Sequence, residues 1–341
     1  MPIQDAIGNI FNIGYWLGTG NLLYQVIGII IYIIVVSIVF SIFGYMMGWL
    51  ERKLIARAQY RHGPTYVGMW GLLQNLADMI KLLSKQDVIP TNSDRYLFGA
   101  SLPLILALSI FIILLLPYSP GLQGTTLGFG LLIVFTIISF LPLLIFTSGF
   151  SSGNKFGAVG AQRSVLILLG YEIPVLLVIA AIAMFTGTYN LNGIVNAQQS
   201  NYFVLIMPIG FVIFFIAMLA EFERPPFDLR EADSELVAGW LTDVSPPYYA
   251  LALFLDYARM FLGSILIAIL FFGGWLVPSY LSFIPALFWI ILKAFIISVF
   301  IIMVRATTFR MRIDGILRFG WIWLVPLSLI NLIITYILFV G

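Results

Sequence analysis

The chain has 341 residues, of which 61% are hydrophobic and only 9% are charged. An ordinary soluble domain carries roughly 25% charged residues, so this chain has too few to cover itself with a water-facing surface. The composition excludes a soluble enzyme, a disordered protein and a nucleic-acid-binding module. With no cysteine and one histidine, the chain also lacks the ligands for an iron–sulfur cluster, a bis-histidine haem or a Cys/His zinc site. Any redox centre is therefore expected in a partner.

Eight apolar runs are long enough to cross a bilayer as helices, which takes about 20 residues each. The runs do not alternate as the strands of a membrane barrel would. They predict an all-α polytopic membrane protein that forms a single membrane domain over residues 1–341. The expected spans are 24–49, 98–118, 128–149, 164–186, 202–221, 251–276, 283–304 and 319–340.

The basic residues lie almost entirely on one side of these spans. The loops 51–97, 150–163, 222–250 and 305–318 hold 15 of the 17 Lys and Arg residues. By the positive-inside rule these are the inner loops, and both termini face outside. The N-terminal stretch has neither a basic region nor a small-residue cleavage site, so it does not predict a signal peptide.

The first inner loop contains an amphipathic segment. Apolar and polar residues recur there at helical spacing on opposite faces; the apolar set is Met69, Leu73, Leu76, Ile80 and Leu83, and the polar set is Gln74, Asp78, Lys81 and Lys85. Such a helix is either a surface anchor or the floor of an entrance for a lipid-soluble substrate. The single histidine, His62, is interpreted as a loop residue rather than a ligand.

The third inner loop is acidic and begins where Pro225 and Pro226 end the fifth span. Two bases, Arg224 and Arg230, oppose six acids, which are Glu221, Glu223, Asp228, Glu231, Asp233 and Glu235. The spacing of Asp228, Glu231 and Glu235 predicts that they share one face of a short helix. Clustered carboxylates raise one another's pKa and titrate together. A solvated acidic loop is the alternative.

Charged residues within spans are costly and need partners inside the bundle. Glu172 lies in the fourth span and Lys293 near the middle of the seventh. Asp256 and Arg259 are three residues apart in the sixth span, so they are expected to pair on one face. These groups form either structural ion pairs or, with Glu221, a proton relay leading from the acidic loop to the centre of the protein.

Three motifs resemble subunit 1 of the NADH dehydrogenase of respiratory complex I. They are ERKLIARAQYRHGP with GLLQNLADMIKLLSKQ in the first loop, YEIP in the fourth span, and ERPPFDLREADSELVAGW in the third loop. The resemblance covers essentially the whole chain, and the third-loop block is its most specific part. Two positions depart from the family pattern: Glu223 is often neutral there, and Asp256 is often the longer glutamate.

The resemblance implies a membrane-arm subunit that lines the ubiquinone channel and couples quinone reduction by partner subunits to proton translocation. It implies a channel wall of Arg52, Arg61, Trp70, Asp78, Phe227 and Phe254. It implies a proton relay of Glu172, Glu221, Asp228, Glu231, Asp233, Glu235, Asp256 and Lys293, with Arg224 and Arg259 as structural ion-pairing residues.

The same resemblance implies the chain's partners. Flavin and iron–sulfur clusters would lie in peripheral-arm quinone-reducing subunits, including the one with the terminal cluster, and ubiquinone would be the substrate. Small membrane-arm subunits and lipid would surround the chain, with no nucleic acid and no cofactor bound by the chain itself.

Three other classes of membrane protein stay open at this point. They are the membrane subunit of an energy-converting hydrogenase, an independent ion or solute transporter, and a pure scaffold, which the charges within spans disfavour. Residues with AT-rich codons favour a mitochondrial inner membrane, with the termini in the intermembrane space and the large loops in the matrix. A bacterial plasma membrane is the alternative location.

Overall fold

A computed structural model describes residues 22–120, 122–123, 127–231, 233–277 and 284–339. In this part the chain is an all-α polytopic membrane protein, as predicted. Seven of its helices are long and apolar enough to cross a membrane. The N-terminal stretch predicted to face outside, residues 1–21, lies outside the described part.

The helices follow the chain order of the predicted spans, with four short helices added in the connections. We number them α1 (Leu22–Ala58), α2 (Gln74–Leu83), α3 (Arg95–Leu115), α4 (Gly130–Ser151), α5 (Lys155–Thr186), α6 (Leu191–Ala197), α7 (Phe203–Ile206), α8 (Pro208–Glu221), α9 (Asp233–Leu236), α10 (Pro246–Phe271), α11 (Ala286–Thr307), α12 (Ile313–Arg318) and α13 (Val325–Phe339). A π-helical turn, Phe319–Leu324, joins α12 to α13. These three stretches run on as one helix, and Ile313–Leu338 within it is the seventh of the helices that can cross a membrane. Two short antiparallel strands, β1 (Pro117–Ser119) and β2 (Leu122–Gln123), follow α3.

Several helix bounds differ from the predicted spans. Helix α1 continues to Ala58, nine residues past its predicted end, because Glu51 and its neighbours find partners within the protein. Helix α5 begins at Lys155, where the Asn154 side chain accepts a hydrogen bond from the Phe156 amide. The predicted loop 150–163 is therefore mostly helix, since a capped N-terminus allows the chain to turn back within a few residues.

The fifth predicted span, 202–221, is not one continuous helix. Helix α7 ends at Ile206, and α8 begins at Pro208, a residue favoured in the first turn because it has no amide hydrogen to satisfy. Helix α8 has 14 residues, a length of about 21 Å. By contrast, Pro103, Pro142 and Pro174 lie inside helices that continue through them.

Helix α10 lies at the centre of the bundle and packs against α1, α3, α8 and α11. On the other side, α5 packs against α4, α8 and α13. The polar connections 59–94, 152–154, 222–231, 233–245 and 308–312 meet at one end of the bundle, which we call the loop end. Two backbone hydrogen bonds tie this end together. The Asp94 amide donates to the carbonyl of Ser151 at the end of α4, and the Met311 amide donates to the carbonyl of Pro226.

Candidate functional site

Arg230 lies at the centre of a cluster of carboxylates at the loop end. Its Nε contacts Glu223 Oε2 and lies 3.1 Å from Glu231 Oε1, and its Nη2 donates to Asp256 Oδ1 at 2.6 Å. The ring of Trp240 lies 5.3 Å from the guanidinium, and its Nε1 donates to Glu231 Oε1 at 3.2 Å. One cation is therefore shared by three acids from two segments of the chain.

A cavity of about 100 Å³ opens beside this cluster, and we call it the acidic cavity. Its wall combines the connection after α8 with residues of α10 and α11. The residues are Phe222, Glu223, Arg224, Pro225, Asp228, Arg230, Glu231, Leu253, Asp256, Tyr257 and Arg305. This volume has room for about three water molecules at roughly 30 Å³ each.

The predicted helical face of Asp228, Glu231 and Glu235 is wrong. Residues 222–231 form turns and irregular chain, and helix begins again only at Asp233. The acids are instead dispersed among partners: Asp228 pairs with Arg310 at 2.9 Å and Glu235 with Arg163 at 2.6 Å. Tertiary ion pairs determine the path of this loop more than helical spacing does. The side chain of Asp233 lies outside the described part.

Two acids of the cluster hold their protons more tightly than an ordinary carboxyl group. The pKa of Glu231 is raised to about 7, first because burial disfavours the carboxylate. Arg230 opposes this shift, while the charges of Asp256, Asp228 and Glu223 add to it. Burial also raises the pKa of Glu223, again against the opposing charge of Arg230. At neutral pH, Glu231 is thus poised between its two protonation states.

Glu51, which was not predicted as a site residue, forms a second buried ion cluster. Its carboxylate accepts hydrogen bonds from Arg224 Nη1 at 2.8 and 3.0 Å, and it also pairs with Arg305. Arg224 in turn lies 5.3 Å from the ring of Tyr257. This cluster joins α1, the connection after α8, and α11. The only sequence signal for it is an acid at the end of a long apolar run.

A much larger cavity, of about 840 Å³, lies between α1 and the first connection, and we call it the large cavity. Cationic and aromatic side chains contribute much of its lining. The lining residues are Glu51, Arg52, Ile55, Arg61, His62, Gly63, Pro64, Thr65, Tyr66, Gln74, Tyr257 and Arg305. Tyr257 and Arg305 face the acidic cavity as well, so the two cavities have these side chains as common walls.

Helix α2 places its polar face against α1. Asp78 accepts hydrogen bonds from Arg52 Nη1 at 2.6 Å and from Gln74 Nε2 at 3.2 Å. Burial alone would raise the pKa of Asp78, but these two bonds outweigh it, and the pKa is lowered. The apolar side chains predicted for the opposite face, Leu73, Leu76, Ile80 and Leu83, are exposed. The amphipathic helix therefore turns its apolar face outward, where lipid or a partner would cover it.

Of the six residues predicted for the channel wall, the structure places two in the large cavity. Arg52 and Arg61 line it, and Asp78 holds Arg52 from behind. Trp70 lines an adjoining cavity of about 280 Å³ that shares Arg61 with the large one.

The two phenylalanines predicted for the wall lie elsewhere. Phe227 is buried with its ring edge-on to Tyr171 at 5.0 Å. Phe254 packs edge-on to Phe40 at 6.0 Å. Neither belongs to the described lining of the large cavity, because both are packed between helices.

Glu221 and Glu172 approach each other within the helix bundle. Both line a small cavity of about 20 Å³ together with Tyr171. A neighbouring cavity of about 10 Å³ is lined by Glu221, Tyr171, Ser164 and Glu223. Within the described part, the Tyr171 hydroxyl and Glu221 Oε1 are buried without a hydrogen-bond partner. Buried polar atoms beside a small cavity are typical sites for an ordered water molecule.

Asp256 does not form the ion pair predicted with Arg259. Asp256 instead pairs with Arg230, while Arg259 Nη2 donates to the backbone carbonyl of Glu221 at 2.9 Å. Both residues lie more than two turns into α10, because this helix begins at Pro246 rather than at 251. The partner that satisfies Arg259 is thus a helix terminus and not a carboxylate.

Lys293 lies far from the acidic cluster. Its Nζ donates to the carbonyls of Phe272, Gly274 and Leu276 at 2.7, 2.9 and 2.8 Å. These carbonyls follow the end of α10, 16 residues beyond Asp256, which is about 24 Å along a helix axis. All three amine hydrogens are therefore used to cap a helix terminus. This contact places Lys293 away from the carboxylate chain predicted for it.

No group of three His, Asp or Glu side chains in the described part lies close enough together to hold a metal ion.

The comparisons with known proteins agree with the sequence resemblance. The family model described as NADH dehydrogenase matches residues 29–336.

Several relatives match over most of their length. The H subunit of the NADH-quinone oxidoreductase of Dehalococcoides mccartyi is 42% identical over 84% of this chain and 80% of that protein. The same subunit of Carboxydothermus hydrogenoformans is 38% identical over 84% and 82%. The H subunit of the F420H2 dehydrogenase of Methanosarcina acetivorans is 38% identical over 86% and 89%. This chain therefore belongs to the NADH dehydrogenase family, whose members include the H subunits of the NADH-quinone oxidoreductases.

Proposed function

We propose that this chain is the membrane-arm subunit that lines the quinone channel of a proton-translocating NADH-quinone oxidoreductase. In this role the large cavity receives the quinone headgroup. The charge that develops there acts on the carboxylates of the acidic cavity, and through them on the membrane helices. The observation that carries the proposal is the pair of common walls, Tyr257 and Arg305, between the two cavities.

The lining of the large cavity suits a quinone. Reduction of a quinone needs two electrons and two protons, and negative charge develops on its oxygens. Arg52, Arg61 and Arg305 supply positive charge along the wall, while Ile55, Pro64 and Tyr257 supply apolar and aromatic surface. The electrons would come from iron–sulfur and flavin centres in peripheral-arm partners that dock on the loop end.

The ion clusters supply a route by which charge in the large cavity acts on the carboxylates. Glu51 and Arg305 bind each other, and Arg305 also faces Asp228 and Glu231 across the acidic cavity. Negative charge beside Arg305 therefore weakens its hold on Glu51 and changes the field at Glu231. Glu223, Glu221 and Glu172 then continue the path into the membrane along the small cavities.

The proposal includes an orientation and a membrane for the chain. The basic connections at the loop end support an inner location for that end by the positive-inside rule. The bacterial relatives favour a plasma membrane over the mitochondrial inner membrane predicted from residue types. The exposed apolar face of α2 would then lie in the inner leaflet or beneath a neighbouring membrane-arm subunit.

Affinity purification of the tagged chain in mild detergent tests this proposal. We expect a flavin- and iron–sulfur-containing assembly to come with it, with inhibitor-sensitive NADH:quinone reductase activity. A stable lone polypeptide would contradict the proposal and favour an independent transporter. A hydrogenase-type set of partners would favour the energy-converting hydrogenases.

The similarity to the F420H2 dehydrogenase subunit supports a second version of the same role, in which only the electron donor differs. The donor would then be reduced F420, oxidised by a different peripheral partner. Assays of the purified assembly with each donor distinguish the two versions, because only the matching donor will support quinone reduction.

A further inference from the structure

The guanidinium of Arg230 is confined among charges on several sides. Its side chain is only 4% exposed and contacts Glu223, Glu231 and Asp256. Asp228, Arg224 and Arg305 face the same cavity. Arg259 lies near enough for its positive charge to oppose that of Arg230. A buried cation of this kind is stable only while enough negative charge surrounds it.

The three carboxylates that contact Arg230 are not equally accessible. The side chain of Glu231 is 29% exposed and that of Asp256 is 20% exposed, while that of Glu223 is 2% exposed. A proton that enters from the acidic cavity therefore reaches Glu231 more easily than it reaches Glu223.

The backbone of Arg230 is held tightly, so rearrangement is confined to its side chain. The carbonyl oxygen of Arg230 packs against Gly160 of α5 and against Gly239, whose φ is +56°. A side-chain carbon at Gly239 would overlap that oxygen. By contrast, the guanidinium borders the acidic cavity, and within the described part its Nη1 has no hydrogen-bond partner. The side chain thus has both a spare donor and adjacent space.

We propose that Arg230 is a positioning residue that binds Glu223, Glu231 and Asp256 as one unit, so that a proton taken up by Glu231 shifts the guanidinium toward the other two carboxylates. Protonation removes the charge of Glu231 and with it most of its hold on Nε. The contacts to Glu223 and Asp256 then strengthen. Because Glu223 follows the end of α8 and Asp256 lies in α10, the protonation of Glu231 acts on both helices. This inference rests on the proposed function of the acidic cavity and adds a residue to it.

The test is an infrared titration of the purified complex between pH 5 and pH 9. The C=O stretch of protonated Glu231 is isolated as the band that disappears in Glu231→Gln. We compare wild type with Arg230→Met, and with Arg312→Met as a matched control, since Arg312 is an exposed arginine at the same end of the bundle. The loss of a contacting arginine raises a carboxyl midpoint by about one to three units.

The expected result is an upward shift of more than half a pH unit in Arg230→Met and an unchanged midpoint in Arg312→Met. A smaller or downward shift in Arg230→Met overturns the proposal. If the complex with Arg230→Met does not assemble, the proposal is tested with Arg230→Lys by the proton measurement described next.

The second measurement separates positioning from charge alone. Lysine keeps the positive charge, but a single ammonium does not bridge three carboxylates in the way that a planar guanidinium does. In vesicles we therefore expect Arg230→Lys to lose at least half of the protons moved per quinone reduced. A wild-type proton ratio in Arg230→Lys overturns the positioning role.

The two measurements also separate this inference from the proposed function. The infrared shift needs no turnover, so it stands if the complex proves not to reduce quinone. Conversely, normal quinone reduction without the infrared shift leaves the proposed function intact and removes Arg230 from it.

Discussion

Glu51 and Arg224 are 173 residues apart in the sequence, yet their side chains lie 2.8 Å apart and are 2% and 8% exposed. Arg305 completes the cluster from a third helix. The wall between the large and acidic cavities therefore depends on a carboxylate at the end of α1. Its two partners come from the connection after α8 and from α11.

Replacing this carboxylate is predicted to destabilise the protein strongly. Glu51→Gln leaves two arginines close together without their negative partner, and breaking a buried pair in this way costs about 3–5 kcal/mol. We expect the yield of assembled complex and its thermal midpoint to fall, as measured by native gels and thermal inactivation. Glu51→Asp keeps the charge and should lose less than half as much. Equal behaviour of the two variants would contradict the account.

The raised pKa of Glu231 predicts how quinone reduction depends on pH. Because its pKa is raised to about 7, Glu231 is mostly protonated at pH 6 and mostly ionised at pH 8. Glu231→Gln fixes the neutral form, so its quinone reduction should fall about tenfold or more at pH 8 and lose its dependence on pH between 6 and 8. Turnover of purified complex across this range is the measurement.

Asp243→Asn serves as the control for this prediction. Asp243 lies in the same connection, outside the described lining of the acidic cavity. It should keep both the rate and the pH profile of the wild type. A Glu231→Gln profile that overlays the wild-type profile would remove Glu231 from the relay.

Lys293 is predicted to act on stability rather than on proton transfer. Its three hydrogen bonds satisfy carbonyls beyond the end of α10, and each bond to a charged donor contributes about 1.5–3 kcal/mol. Lys293→Met should therefore lower the thermal midpoint of the complex. The surviving complex should move a wild-type number of protons per quinone, which vesicle assays measure. A normal thermal midpoint with fewer protons moved per quinone reduced would mean that Lys293 takes part in proton transfer.

The sequence predicted the features that depend on local composition. Hydropathy identified the membrane helices, and the positions of Lys and Arg identified the loops that meet at one end. The spacing of Gln74 and Asp78 gave the polar face of α2, which the structure turns toward α1. These features were predictable because each is determined by residues within one or two turns of the chain.

The features that the sequence did not predict depend on contacts between distant segments. Asp256 and Arg259 have the spacing of a helical pair, but Arg230 and the Glu221 carbonyl are better placed to satisfy them. Helix α1 extends past the length needed to cross a bilayer, because Glu51 is neutralised by distant arginines. Spacing along one helix holds no information about partners on another helix.

Photoaffinity labelling determines whether quinone binds in the large cavity. A quinone with a photoreactive group on its ring would be cross-linked to the purified complex, and the labelled residues would be mapped by mass spectrometry. If quinone binds there, labels lie within residues 51–74 or near Tyr257 and Arg305, and excess ubiquinone suppresses them. Labels elsewhere in the chain, or labels that excess ubiquinone does not suppress, show that quinone does not bind in the large cavity.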